Sequence, residues 1–328
     1  MNETPDLSIV IPVYNERGVL PQCLQRLEQA LASLTLSVEL VFVDDGSNDG
    51  CTQWLADHPS TIGVSRIISL SRNFGKEAAM TAGLETAAGK AMIVIDADLQ
   101  DPPELIPEMV EQWQKGIDVV LMQRRTRPGE SIMKRFSSSL FHRLLKSSSK
   151  LDIPADVGDF RLMSRRAVEA LKQLPERNRY MKGLFAWVGM PTVVLQYDRA
   201  PRAAGASKWS YLELSRLAIE GITSFSTRPL KLAILLGLVA AFCGGAFGLW
   251  IVFKALAFGD PVQGYPSLIA VITFLGGAQL ITVGIVGEYV GKTYIESKQR
   301  PVYLVREITE VAQRVAEAEP TTRHETEA

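Results

Sequence analysis

Over its first two-thirds the chain alternates short apolar runs with helix-length amphipathic stretches. The runs LSIVIPV (7–13), VELVFV (38–43), VSRIISL (64–70), AMIVI (91–95) and DVVLM (118–122) are rich in β-branched residues and mostly unalternating. A strand apolar on both sides is covered on both sides, so these read as buried parallel strands. Helices are predicted between them over 16–34, 52–57, 76–87 and 103–115, the last opened by Pro102-Pro103 with acids in its first turn. This βαβα order predicts a doubly wound, mostly parallel α/β sheet with ligands at the carboxyl ends of its strands. Residues 124–150 break the rhythm, with Ile132, Phe136, Leu140 and Leu144 recurring every four residues in a basic segment. Such a basic amphipathic helix either packs on the sheet with a solvated face or lies on anionic lipid. A loop over 198–210 and a helix over 211–225 follow.

The pattern changes again after residue 228. Between Lys231 and Lys254 lie 22 residues without a charge, and between Asp260 and Glu288 lie 27 more. A 22-residue helix is about 33 Å long and a hydrocarbon core about 30 Å thick, so the two runs predict a transmembrane hairpin rather than a buried soluble one. Arg216, Arg228 and Lys231 precede the first run and Lys292, Lys298 and Arg300 follow the second; the connection offers only Lys254. That asymmetry keeps both flanks in the cytoplasm. The expected organisation is a cytoplasmic catalytic domain over 1–208, a juxtamembrane amphipathic helix over 209–228, the hairpin over 229–291 and a cytoplasmic tail over 292–328. The stretch from Val311 onward is polar and is expected to fray.

Composition sharpens this picture because the averages conceal it. The 328 residues carry a formal net charge of −1 and a mean hydropathy of +0.09. Residues 1–58 hold nine acids against two bases, whereas 115–150 hold nine Lys/Arg against two acids. Disorder, collagen-like repeats and a disulfide scaffold are excluded by composition. Cys23, Cys51 and Cys243 have no CxxC spacing and no nearby His, which fits reduced thiols. The segment MNETPDLSIV lacks the basic and apolar regions of a signal peptide, so the domain it opens is expected to stay in the cytoplasm.

The candidate chemistry sits just after the strands. Asp96-Ala97-Asp98-Leu99-Gln100 follows AMIVI, and two carboxylates at i and i+2 with a neutral amide oxygen form a hard-oxygen site. Such a site suits Mg²⁺ or Mn²⁺ bridging a diphosphate, although a lone D-x-D also describes two solvated loop acids. Ile11-Pro12-Val13-Tyr14-Asn15-Glu16 ends the first strand and Val43-Asp44-Asp45-Gly46-Ser47 the second. Tyr14 can lie on a nucleobase and a carboxylate can accept from a base N–H or ribose hydroxyl; Asp44-Asp45-Gly46 alone also fits an Asx turn. Neither a GxGxxG after a strand nor a GxxxxGK[ST] occurs, so a dinucleotide fingerprint and a P-loop are absent.

Taken together and in order, IPVYNE, VDDGS, SRNFGKE, DADLQDPPE and the R-x-x-G-x-S-K loop from Arg202 to Lys208 resemble the family 2 glycosyltransferases that load polyprenyl phosphate with a sugar. LSRNFGKE, DVGDFRLMSR and MKGLFAWVG look most like the bacterial bactoprenol (undecaprenyl-phosphate) glucosyltransferases. The resemblance spans 7–300 and implies a GT-A-type, Rossmann-like domain followed by two transmembrane helices in the bacterial inner membrane. It implies Pro12, Tyr14, Glu16, Val43 and Asp45 at the nucleotide, and Asp96, Ala97, Asp98 and Gln100 at the diphosphate, with Asp96, Asp98 and Gln100 on the metal. Arg124 matches a position near sugar and phosphates, and Asp159 an acid facing the acceptor. Arg202, Ser207 and Lys208 match a loop closing over donor diphosphate and acceptor phosphate, with Lys134 and Arg135 as further bases for the acceptor. Catalysis is assigned to Asp98, Asp159, Arg202 and Lys208. Asp49, in DDGSNDG, receives no role.

The implied reaction is inverting transfer of a hexose, glucose from UDP-glucose, to undecaprenyl phosphate, in modification of a cell-envelope glycan such as a lipopolysaccharide O-antigen. GDP-mannose or a UDP-aminosugar are alternative donors. The implied partners are the nucleotide sugar, the polyprenyl phosphate, the membrane and further copies in a homotetramer, with no nucleic acid. A processive synthase would carry Q-x-x-R-W and more spans. A non-catalytic scaffold or sugar-lipid translocator would not need the D-x-D and basic loop.

Overall fold

The computed structural model describes residues 4–125, 157–177, 179–198, 228–258 and 265–314. Strands β1 (Leu7–Val13), β2 (Val38–Asp44), β3 (Gly63–Leu70), β4 (Ala91–Val94) and β5 (Val119–Arg124) follow the apolar runs to within two residues. Between them lie α1 (Leu20–Leu31), α2 (Cys51–Asp57), α3 (Lys76–Thr86) and, after a 3₁₀ turn at Pro103–Leu105, α4 (Ile106–Gln114). Helix α1 begins four residues later than predicted. The Glu16 carbonyl is used in a turn, accepting from Val19 N–H and Leu20 N–H, and Pro21 then sits in the first helical turn.

Three strands escape the apolar-run reading. They are β6 (Val157–Ser164), β7 (Thr192–Tyr197) and β8 (Val305–Val311); the two helices α5 (Arg165–Lys172) and α6 (Met181–Trp187) fall between the first two. The sheet has eight strands in the order β7-β5-β6-β4-β1-β2-β3-β8. Strands β4, β1, β2 and β3 are parallel neighbours, as are β5 and β7, but β6 runs antiparallel between β4 and β5, and β8 antiparallel to β3. Residues 305–311, within the stretch expected to be a tail, are therefore an edge strand of the sheet.

Two apolar layers cover the sheet. On one side β-strand residues such as Leu7, Ile9, Leu40 and Phe42 pack with Leu20, Leu24 and Leu27 of α1, Trp54 and Leu55 of α2, and Ile106 and Met109 of α4. On the other, Val10, Val41, Val43 and Ile68 pack with Ala79, Met80 and Ala82 of α3, Val168 and Leu171 of α5, and Leu184 of α6. Helix α3 approaches closely because residue 83 is glycine: a Cβ there would lie 2.3 Å from Val10 Cγ1.

Beyond the sheet lie α7 (Arg228–Phe258) and α8 (Tyr265–Ser297). Each is long and apolar enough to cross a membrane, over Ala233–Trp250 and Phe274–Ser297, with only 6% and 0% of those windows buried. A soluble core helix of this hydropathy would be largely covered. The end of α8 and the residues after it meet the sheet domain through Arg177, whose N–H donates to Glu296 Oε1 (2.8 Å) and whose guanidinium donates to the carbonyls of Arg300 (2.9 Å) and Gln299 (3.3 Å). Most of the basic segment 124–150, the loop 198–210 and the helix predicted over 211–225 lie outside the described residues.

Candidate active site

The carboxyl ends of β1, β2 and β4 open on one cavity of about 480 Å³, lined by Pro12, Tyr14, Glu16, Asp45, Lys76, Asp96, Ala97 and Asp98. Register explains the convergence. Val13 pairs with Asp44 across β1 and β2, and Val10 pairs with Val94 across β1 and β4, so the turns after each strand rise at one edge. Tyr14 keeps 48% of its surface exposed, which leaves its ring free to stack. Val43 is fully buried in the core, so its side chain is closed to a ligand and only its backbone can reach one.

The first two turns are laced together. Asn15, at φ +54°, donates its N–H to Ser47 Oγ (2.9 Å) and accepts from Asn48 N–H at Oδ1 (3.0 Å). Asp49 accepts from Arg17 N–H (2.9 Å) and Cys51 N–H (3.1 Å), which gives this residue a structural role that the sequence did not reveal. Asp44 is fully buried and accepts from Ser47 N–H and the Thr52 hydroxyl. Asp45 accepts from Phe74 N–H (2.7 Å) and Gly75 N–H (2.9 Å), pinning the SRNFGKE loop to the second turn. Burial raises the Asp45 carboxyl above its usual range while those two N–H groups oppose the rise. Gly46, at φ +74°, is required between them, because a Cβ would lie 2.6 Å from the backbone of Arg72.

The third turn carries the two carboxylates. Asp98 Oδ1 accepts from Gln100 N–H (3.1 Å), and Leu99 between them is held at φ +59° although 97% buried. A left-handed leucine is strained, and such strain concentrates at functional turns. Gln100 is buried and its Oε1 has no hydrogen-bond partner among the described residues. No three His, Cys, Asp or Glu side chains among the described residues form a metal-holding group by themselves.

Strand β6 brings in the opposing acid. Val94 pairs with Arg161, which sets Asp159 across from Asp96. Lys76, the first residue of α3, bridges the two at 2.6 Å from each. Burial works against the charge on Asp159, but Lys76 first, then Lys182 and Arg161, hold its carboxyl far below the usual range. Arg161 is buried beneath it, donating to the Gly158 carbonyl (2.6 Å) with its guanidinium 3.9 Å from the Phe185 ring centre.

Arg124 leaves β5 on the same side. Its Nε donates to Tyr197 Oη (3.3 Å), and the Tyr197 hydroxyl in turn donates to fully buried Asp101. Burial disfavours the guanidinium charge, yet Tyr197 and Asp101 outweigh it and raise its pKa above the usual value. Gly158 makes room for it, since a Cβ there would lie 2.8 Å from Arg124 Nη2. Lys134, Arg135, Arg202, Ser207 and Lys208 lie outside the described residues. Sequence alone does not mark Lys76, Asp101 or Tyr197 as site residues, although Lys76 lies in SRNFGKE and Asp101 in DADLQDPPE.

A sheet that delivers an exposed tyrosine, an acid-and-glycine turn and paired carboxylates to one strand-end cavity has the architecture of a doubly wound α/β enzyme. Residues 8–172 match Glycosyl transferase family 2, and the chain belongs to that family. It is 46% identical over 305 residues to an uncharacterized glycosyltransferase of Synechocystis sp., covering 93% of this chain and 96% of that one. It is also 46% identical over 300 residues to the bactoprenol glucosyl transferase of Shigella phage SfV, covering 92% and 98%. A crystal structure of glucosyl-3-phosphoglycerate synthase from Mycobacterium tuberculosis is 19% identical with a TM-score of 0.48, covering 67% of this chain and 76% of that chain.

Proposed function

We propose that this glycosyltransferase moves glucose from UDP-glucose to undecaprenyl phosphate with inversion at the anomeric carbon. The observation that carries the reading is the meeting of Asp96 and Asp98 with Tyr14 and Glu16 around one strand-end cavity, with Asp159 tied to it through Lys76, in a chain whose relatives bear the name bactoprenol glucosyl transferase. On this reading Tyr14, Glu16 and Asp45 hold the nucleoside, and Pro12 and the Val43 backbone shape its floor. Asp96 and Asp98, with Gln100 beside them, are the oxygen donors for Mg²⁺ or Mn²⁺. A pair of carboxylates rather than a full protein cage suits an ion that shares its coordination with a diphosphate, and the ion supplies charge neutralisation to the leaving group.

A phosphate monoester has a second pKa near 6 and is largely dianionic at neutral pH. Its oxygen forms the new bond to C1 as the C1–O bond to the nucleoside diphosphate breaks, so an α-linked donor gives a β-linked lipid phosphate and UDP departs. The attacking oxygen carries no proton that must be removed. Asp159, held far below the usual carboxylate range, would be a poor proton acceptor, which supports a positioning role. Arg124, with Arg202, Ser207, Lys208, Lys134 and Arg135, gathers the two anions. The two apolar helices anchor the enzyme in the inner membrane, catalytic domain and both flanks on the cytoplasmic side, and the assembly is a homotetramer.

The test is a donor panel of radiolabelled UDP-glucose, GDP-mannose and a UDP-aminosugar with undecaprenyl phosphate, with and without EDTA, followed by linkage analysis. We expect β-linked labelled lipid from UDP-glucose, lost in EDTA and restored by Mg²⁺ or Mn²⁺. No labelled lipid from any donor would sink the reading.

A further inference from the structure

Lys76 stands between acids that the proposed reaction assigns to opposite substrates. Its Nζ lies 2.6 and 2.7 Å from the two carboxylate oxygens of Asp96 and 2.6 Å from Asp159 Oδ2. An ammonium has three N–H donors and no acceptor, so these three oxygens match its full capacity. The backbone sets the lysine there. Gly75, at φ +97°, turns the chain into α3, and the two N–H groups ahead of Lys76 are already fixed on Asp45. Strand β4 delivers Asp96 and its antiparallel neighbour β6 delivers Asp159.

Both oxygens of Asp96 are thus satisfied by a cation built into the chain. A divalent ion on the same carboxylate would sit within a few ångströms of the ammonium, close enough for the two positive charges to repel. A donor diphosphate brings the negative charge that offsets this repulsion. Asp159, at 2.6 Å, gives Lys76 a carboxylate partner that does not depend on Asp96.

We propose that Lys76 is an internal counter-ion competing with the divalent cation for Asp96, so that the ion binds together with the donor diphosphate instead of ahead of it. The inference rests on the glycosyl-transfer reading of this site. Lys76 acts through Asp96 and Asp159 and is a positioning residue.

The experiment measures Mn²⁺ binding to the purified full-length chain by electron paramagnetic resonance, with and without UDP, for wild type, Lys76→Met and Lys76→Arg. Wild type should bind Mn²⁺ at least tenfold more tightly with UDP than without. Lys76→Met should bind Mn²⁺ alone at least tenfold more tightly than wild type, and Lys76→Arg, which keeps the charge, should follow wild type. An unchanged or weaker UDP-free affinity in Lys76→Met overturns the proposal, as does an arginine variant that behaves like methionine. The wild-type arm stands whether or not a variant folds: equal Mn²⁺ affinity with and without UDP also overturns it. If Mn²⁺ fails to bind even with UDP, the metal reading of the site falls first and takes the role of Lys76 with it.

Discussion

Replacing Glu77 by glutamine removes a charge that the fold holds in an unfavourable place. Glu77 follows Lys76 in the first turn of α3, and its Oε2 accepts from Met181 N–H (3.2 Å) at the start of α6. Burial, reinforced by the charge of Asp159, pushes its carboxyl from 4.5 up to about 7, against the pull of Lys76 and Lys182. The unfolded chain therefore releases this proton near pH 4.5 and the folded chain only near pH 7. Stability is fully present below pH 4.5, declines as pH rises through the window between those values, and stays reduced above it. At ~1.4 kcal/mol for each tenfold difference in proton affinity, the displacement corresponds to about 3 kcal/mol; local relaxation brings the expected effect nearer ~2 kcal/mol. Glutamine keeps the acceptor oxygen for Met181 and has no charge to desolvate. Thermal unfolding in detergent micelles should show Glu77→Gln melting about 4–8 °C above wild type at pH 8, with the gap shrinking to about 1 °C at pH 4.5. A variant no more stable than wild type at pH 8, or a gap that widens toward acid, would refute the reasoning.

Two further substitutions test the architecture of the cavity. Asp45→Ala strands two backbone N–H groups held at 2.7 and 2.9 Å, and should lower the melting temperature by several degrees, for a loss of about 2–3 kcal/mol, while raising the donor KM at least tenfold; unchanged values for both would remove Asp45 from the site. Gly158→Ala places a Cβ 2.8 Å from Arg124 Nη2, the far end of a flexible side chain, so melting should move by less than about 2 °C while kcat falls roughly tenfold; a normal kcat would mean that Arg124 is not positioned for the chemistry.

What sequence could reveal depended on what each element buries. Strands β1 to β5 are covered by helices on both faces, and their apolar runs announce this directly. Strand β6 reads VGDFRLMS, and its polar positions are the site itself: Asp159 and Arg161 interrupt the apolar pattern because they face Lys76 and Phe185. Strands β7 and β8 lie at the sheet edges and alternate exposed with half-buried positions, a weaker signal than a buried run. The acids of the site were legible because they cluster just after strands. Lys76 and Tyr197 were not, because their importance lies in what the β4–β6 and β5–β7 pairings place opposite them, and no local spacing encodes that.

The edge positions of β7 and β8 bear on how the sheet is held. The chain leaves the sheet after β7 at one edge, passes through α7 and α8, and returns as β8 at the opposite edge. Seven strand spacings separate those edges, about 34 Å at ~4.8 Å each. The return is fastened: Ser71 N–H donates to the Leu304 carbonyl (2.8 Å), Arg66 pairs with Glu310 (2.8 Å), Tyr303 Oη donates to Glu85 (2.5 Å), and Arg177 closes the end of α8. Strand β8 also covers the edge of β3 and leaves Arg306 and Glu307 exposed, charges that discourage pairing with a further strand. On the proposed membrane reading, a sheet attached at one edge could pivot about its linker, whereas attachment at both edges restricts rotation toward or away from the bilayer. A soluble donor can enter the cavity from many directions, but a phosphate carried on a membrane lipid arrives only at the height of its headgroup. Returning the chain to the far edge of the sheet thus ties a strand distant in sequence into the same sheet as the site.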